Sequence, residues 1–306
     1  MKKSVVTWSQ AGRDFSKTEV QEICETVEMF PRLARSELAC TVCEQFEWLT
    51  ASGSPKRHAC EKLLVKLENQ GLLQLPTLRE DMRQKALVQE KPIQIGDRTK
   101  PGEPVRVGLS ACRPVDVVPV AENCETGLWN EYVERYHPLK YKKPFGHRLR
   151  YFIKAGDEVL GCLLLSGSAK SMGIRDKWIG WDDHKRLKNL GWVLNNSRFL
   201  IFPWVQVPHL ASHVLGKLCK RVVKDYETRW RFRPLLLETF VNPTMYQGTC
   251  YRAAGWQELG QTTGEGLRRP GKNYATTPKL LFVKPLSKDC RNKLCNEELK
   301  GSWEDE

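Results

Sequence analysis

Residues 235–241 read Leu-Leu-Leu-Glu-Thr-Phe-Val, a strand with no polar residue before Glu238. A strand with one wet face alternates apolar and polar residues, whereas an unbroken apolar run belongs to a strand covered on both faces. Upstream, Leu210, Val214, Leu218, Val222 and Tyr226 recur at four-residue steps, with Lys217, Lys220, Arg221 and Lys224 turned outward. That is a helix which buries one stripe against a sheet. A long amphipathic helix feeding a doubly covered strand restricts the chain to the α/β class, with helices on both faces of a sheet.

The flanking sequence extends that sheet. Val115–Val120 reads as a strand, followed by a helix with Leu128, Trp129, Tyr132, Val133 and Tyr136 on its apolar side. Leu149–Ile153 and Val159–Leu165 flank Gly156-Asp157, a two-residue hairpin turn. Arg198–Phe202 is a further strand, a short helix is expected around Gly248–Ala254, and strands near Gln257–Thr262 and Lys279–Val283 complete the order.

The first eighty residues have a different texture. Lys17–Arg32 predicts a helix with Val20, Ile23, Val27 and Phe30 near helical spacing. Ser36 is placed to cap a second helix through Leu38, Val42, Phe46 and Leu49. After a turn at Thr50–Ser54, Pro55 suits the first position of a third helix to about Asn69, whose start carries Lys56, Arg57 and Lys62. Gly71 ends it, and Leu72–Pro76 reads as a short strand. Helix, turn, basic helix, strand is a winged-helix-like order, in which the third helix enters the major groove. The expected division is therefore a helical winged-helix-like domain over 1–78, a linker over 79–104, an α/β domain over 105–290 and a tail over 291–306.

Charge points to a partner class. The first 80 residues hold eleven Lys/Arg and eleven Asp/Glu, so the whole excess of +13 falls in residues 81–306. A basic surface attracts phosphate polymers or acidic membranes, and ten tryptophans favour nucleic acid. No run of about 18 apolar residues offers a membrane span. The start, Met1–Trp8, lacks the apolar centre of a secretory signal, which predicts a cytoplasmic protein with no membrane partner. Eleven cysteines at irregular intervals fit reduced thiols. Cys40 and Cys43, with His58 and Cys60 beyond, have a zinc-like look, but a pair spaced i, i+3 inside a helix faces the core more simply. No metal site is expected.

Several residues are candidates for chemistry. Glu238 would be a costly charge in a buried strand unless paired, for instance with Arg198, or poised as a base. Asp176 sits between Arg175 and Lys177 beside Trp178 and Trp181, an acid in a cationic, aromatic setting or simply a charge-paired loop acid over packed indoles. The two tryptophans are stacking platforms for bases or core. Asn195, Asn196 and Arg198 suit phosphate capture or an ordinary turn. Tyr251 is a proton donor, a nucleophile or a buttress between helix and sheet, and His213 reads as a core histidine.

The order of elements resembles the Gcn5-type N-acetyltransferase fold. Asn242, Tyr251 and Gly255-Trp256 are similar to that fold's Asn, Tyr and Gly-aromatic sequence after its fifth strand. The resemblance implies that Tyr251 protonates the departing thiolate of coenzyme A. The pyrophosphate of that carrier normally meets a Gly-rich loop at the start of the long helix. Here the stretch is Val205–His213, with no glycine and with Pro208, so acetyl-coenzyme A is not an expected cofactor. Five further stretches, at 175–181, 195–201, 210–215, 236–241 and 248–256, resemble the Druantia protein A family, a component of a bacterial anti-phage system. Similar domains also occur in insertion-sequence proteins, some joined to a transposase.

Three functions follow as expectations. The first is a nucleic-acid-binding component of a defence or mobile-element system, using a degenerate acetyltransferase-like domain. Lys56, Arg57, Lys62, Arg175, Trp178, Trp181, Asn196 and Arg198 would make its contacts, and other defence or transposition proteins would be its partners. The second is a nuclease or strand-transfer enzyme with Mg²⁺ at Asp176 and Glu238, or attack by Tyr251. The third is an acyltransferase with Glu238 as base and Tyr251 as acid.

Overall fold

The computed structural model describes residues 6–50, 54–76, 93–112, 114–120, 123–264 and 277–296. The tip of the turn at 51–53, the linker from 79 to 92 and the tail beyond Asn296 lie outside the described residues. The chain divides into two compact units, residues 1–92 with 143–147, and residues 93–142 with 148–306.

The first unit opens with a hairpin of β1 (Val6–Gln10) and β2 (Arg13–Ser16). Its two turn residues, Ala11 and Gly12, both have positive φ, at 50° and 75°, the geometry of a type I′ turn whose twist matches paired strands. Ser16 ends β2 and caps α1 (Lys17–Met29), where the Glu19 amide donates to Ser16 Oγ and the Ser16 amide to Glu19 Oε2. α2 (Arg35–Gln45) starts at Ala34, because Glu37 reaches back to the Ala34 amide, and Ser36 lies inside the helix instead of capping it.

α3 (Arg57–Asn69) buries Cys60, Leu63, Leu64 and Leu67. Pro55 precedes it and bridges to Leu49. Leu72–Pro76 forms no strand. The Leu75 amide donates to Glu68 and the Pro76 carbonyl accepts from Arg35, so side chains take the backbone groups a strand would have paired. Cys40, Cys43 and Cys60 are buried, with Cys43 against Cys60. Phe15 packs edge-on against Trp48, and Phe145 against Phe30.

The second unit is built on a seven-stranded sheet in the order β3-β4-β5-β6-β7-β9-β8. The strands are β3 (Val115–Pro119), β4 (Leu149–Ala155), β5 (Glu158–Gly167), β6 (Val193–Ile201), β7 (Leu236–Val241), β8 (Gln257–Gln261) and β9 (Leu280–Pro285). Every pair is antiparallel except β6 and β7. This order, with its one internal parallel pair, is the Gcn5-type acetyltransferase sheet that the sequence resemblance implied. A four-residue helix α4 (Leu109–Cys112) precedes β3, and α5 (Asn123–Tyr136) follows it. Two short helices, α6 (Gly173–Ile179) and α7 (Asp183–Asn189), join β5 to β6, and α8 (Leu210–Trp230) joins β6 to β7. α9 (Thr249–Ala253) and α10 (Cys290–Leu294) complete the unit.

The register explains the sidedness. Asn195 lies opposite Glu238, and Leu164 opposite Arg198, which puts Glu238 and Arg198 on the face that also receives α5 and α6. Asn196 and Thr239 point to the other face, where α9 packs beside α8. β7 is buried between β6 and β9, as its apolar run requires. Residues 93–99 are fastened to α5 through Glu131, whose carboxylate accepts from the Gly96 amide, the Thr99 hydroxyl and the Arg98 guanidinium. Burial alone would raise this carboxyl, but those three donors outweigh it and leave the pKa below the ordinary value.

Candidate functional site

Glu238 and Arg175 are both fully buried, and they meet. Glu238 Oε2 accepts from Arg175 Nη1 at 3.0 Å, and Oε1 accepts from the Ala169 amide at 3.2 Å. The same guanidinium donates through Nε to Asp176 Oδ1 at 2.9 Å and through Nη1 to the Ala169 carbonyl at 2.9 Å. Asp176 in turn accepts from the Trp181 indole at 3.0 Å and from the Met172 amide at 2.8 Å. Arg186 stands 3.8 Å from it. One cation therefore holds two carboxylates and ties the 168–176 segment to the middle of β7.

The sequence offered Arg198 as one possible partner for Glu238, and the structure pairs it with Arg175 instead. Arg198 lies three residues beyond Asn195, Glu238's partner in register, or roughly 10 Å along the strand. Its guanidinium turns instead to the carbonyls of Lys140 and Ser197. Burial pushes the Glu238 carboxyl up, Arg175 draws it back only in part, and Asp176 adds to the rise. Arg175 is held protonated, because the two acids outweigh its burial.

A second cluster occupies the place where the parallel pair opens. β6 and β7 pair only through Val193–Asn195 and Leu236–Glu238, although both strands continue. Next to that point the register between β5 and β6 shifts, with Ser197 the extra residue, a bulge that re-aims neighbouring side chains. Asn196 spans the bulge, donating to the carbonyls of Leu164 and Arg198. Its Oδ1 accepts from the Tyr251 hydroxyl at 2.9 Å. Thr239 Oγ1 lies 3.0 Å from the Asn196 carbonyl and 3.4 Å from Tyr251 Oη.

The Tyr251 ring stacks on Phe282 and meets Phe199 and Trp256 edge-on. Burial pushes its hydroxyl far above the usual phenol range, and Thr239 offsets this only in part. Tyr251→Phe leaves Asn196 Oδ1 without this donor. We expect a loss of about 1–2 kcal/mol, read by urea unfolding.

The entry to α8 departs from a phosphate cradle. Val105 bridges in parallel to Val205, taking the Trp204 carbonyl and the Gln206 amide at 2.9 and 2.8 Å. A side chain on Gly102 would come within 3.0 Å of the Trp204 indole, so a second segment already lies close over this turn. The Leu210 amide bonds back to the Val207 carbonyl, and His209 takes the left-handed conformation with no side-chain cap. These residues do not fit the pyrophosphate of a coenzyme A. Mg²⁺ fits no better at Asp176 and Glu238, where a guanidinium already occupies the space between the carboxylates.

Of the remaining sequence candidates, Trp181 is buried, and Trp178 is half-buried with Arg291 held over its ring at 5.4 Å. In the first unit, Arg57 is 3.5 Å from Glu61, and Lys62 is exposed on α3. Lys56 immediately precedes the helix. The sequence reading missed Ala169 and Thr239. The sole signal for either was an uncompensated charge or hydroxyl in an apolar strand.

Residues 66–269 match the family profile described as Druantia protein DruA. That is two thirds of the chain and takes in both clusters. The chain belongs to the Druantia protein DruA family. A curated relative, Druantia protein DruA of Escherichia coli (strain UMEA 4076-1), is 30% identical over 83 residues, which is 25% of this chain and 20% of the relative. The match thus spans about a fifth of that protein's length.

Among solved structures, an agmatine N-acetyltransferase covers 56% of the DruA-family chain and 99% of its own at 10% identity and a TM-score of 0.36. FeeM, an N-acyl amino acid synthase from uncultured soil microbes, covers 57% and 92% at 12% identity and 0.35. An N-acetyltransferase from Staphylococcus aureus Mu50 covers 56% and 97% at 7% identity and 0.34. No helix among the described residues is long and apolar enough to cross a membrane.

Proposed function

We propose that this DruA-family chain is a nucleic-acid-binding component of a Druantia-type anti-phage system, with its acetyltransferase-like domain serving as a binding platform. One observation carries the reading. The whole positive excess of +13 lies in residues 81–306, in a fold whose acyl-carrier entry is built from Val205, Pro208 and a bridging Val105 rather than from glycine amides. A basic surface without a carrier cradle suits a phosphate polymer better than a thioester. The partners would then be nucleic acid and the other proteins of the defence system.

The test is binding of the full chain to labelled oligonucleotides across a salt series. We expect log Kd to rise linearly with log salt, with a slope that counts several neutralised phosphates. A flat response, or no binding at low salt, overturns the proposal. The acyltransferase reading keeps one supporting observation, the bulge at Ser197 beside parted strands with Tyr251 between them. Thermal stabilisation by acetyl-coenzyme A would favour it.

A further inference from the structure

α6, α7 and α10 are far apart in sequence but form one cluster. The Asn189 side-chain amide at the end of α7 donates to the Leu294 and Asn296 carbonyls at 3.0 and 2.8 Å. Cys295 Sγ lies 3.4 Å from the Ile179 carbonyl at the end of α6, and Arg291 of α10 is held over the Trp178 ring of α6. The cluster is rich in cations that the fold leaves uncommitted. Lys185 and Arg186 are engaged by Asp182, Asp183 and Asp176. Lys177, Lys188, Arg291 and Lys293 make no ion pair among the described residues. Lys177, Arg291 and Lys293 are exposed.

Surface lysines alone are an ordinary solvated face. The half-buried indole with a guanidinium over its ring is not, because it sets a cation against an aromatic face. Nucleobases stack on indoles and on guanidinium planes, and the cations around that face match a phosphodiester backbone. Stacking needs a base free of its partner, which selects an unpaired strand over a duplex. We infer that the α6–α7–α10 cluster is a single-stranded nucleic-acid site, with Trp178 and Arg291 as the stacking pair and Lys177, Lys188 and Lys293 on the phosphates. This rests on the nucleic-acid reading and adds a place and a strand preference to it. Arg175 and Trp181 are buried and bonded to Asp176, and do not reach the ligand.

The experiment compares full-length wild type, Trp178→Leu and the fourfold variant Lys177→Gln, Lys188→Gln, Arg291→Gln, Lys293→Gln on a labelled single strand and on its duplex. Circular dichroism and Tm check the fold. Wild type is expected to bind the single strand more tightly. Trp178→Leu weakens that binding by about 5- to 150-fold with little change for duplex. The fourfold variant removes three phosphate contacts and lowers the single-strand salt slope by about 2. Should the fourfold variant unfold, Lys177→Gln and Lys293→Gln singly each lower the slope by about 0.7.

Wild-type binding that survives all these substitutions overturns this site and leaves the proposed function standing. Equal losses for strand and duplex overturn the strand preference. A wild type that binds neither overturns both readings together.

Discussion

Replacing Arg175 with alanine is expected to lower the stability of the second unit by about 3–5 kcal/mol at pH 7, among the largest single-residue losses in the chain. The guanidinium is fully buried and contacts Glu238, Asp176 and the Ala169 carbonyl. Its removal strands Glu238 as a charge in the middle of a sheet. The sign of the pH dependence follows. Without Arg175 the folded pKa of Glu238 rises further above its unfolded value of about 4.3, so the folded state binds the proton more tightly. The penalty grows as pH rises above that value and fades as pH falls towards it. Urea unfolding at neutral pH and near pH 5 reads both effects, and the deficit shrinks in acid. Adding Glu238→Gln to Arg175→Met restores most of the loss, since the charge and its partner leave together. A deficit that deepened in acid would contradict the buried-pair account.

Gly248→Ala is expected to cost about 2–5 kcal/mol, again by urea unfolding. Two causes combine. Gly248 has φ +73°, where a Cβ costs about 1–2 kcal/mol. That Cβ would also lie 2.5 Å from Phe282 Cζ, adding about 1–3 kcal/mol of overpacking. The ring cannot yield, because it is buried, with Tyr251 stacked on it and Arg252 over it. Phe282→Leu in the same chain relieves the overlap and recovers part of the loss. The effect reaches the opening between β6 and β7, since Gly248 caps the helix that delivers Tyr251.

The elements legible in the sequence were those whose pattern is enforced by burial along one segment. The stripe from Leu210 to Tyr226 is the buried face of α8, which runs on to Trp230. The unbroken run of β7 has covered neighbours on both edges. Gly156-Asp157 marked the β4–β5 hairpin because Gly156 takes φ +60° there.

The hairpin of β1 and β2 was silent. Its turn uses Ala11 with Gly12, and alanine carries none of the Asn or Asp signal of that turn. Leu72–Leu75 misled because apolar residues after a helix also serve as a flap over its own side. There Leu75 is buried, while Glu68 takes its amide. In the candidate site, Glu238 announced itself as a charge that needed a partner. Its partner lies 63 positions away in another element, and no local spacing encodes that distance.

The position of β9 has a consequence for how this chain is made. β9 is inserted between β7 and β8, so the later-synthesised strand takes the inner place. β7 leaves the ribosome before β9 does, and until Leu280–Pro285 follows it the outer hydrogen-bonding edge of β7 has nothing in this sheet to pair with. That edge is lined by Leu236, Leu237, Thr239 and Val241, an apolar template open to any neighbouring nascent chain. Only when Leu280–Pro285 emerges does the edge close. The stretch of translation between these two events is the window in which the protein depends on chaperone cover or on speed.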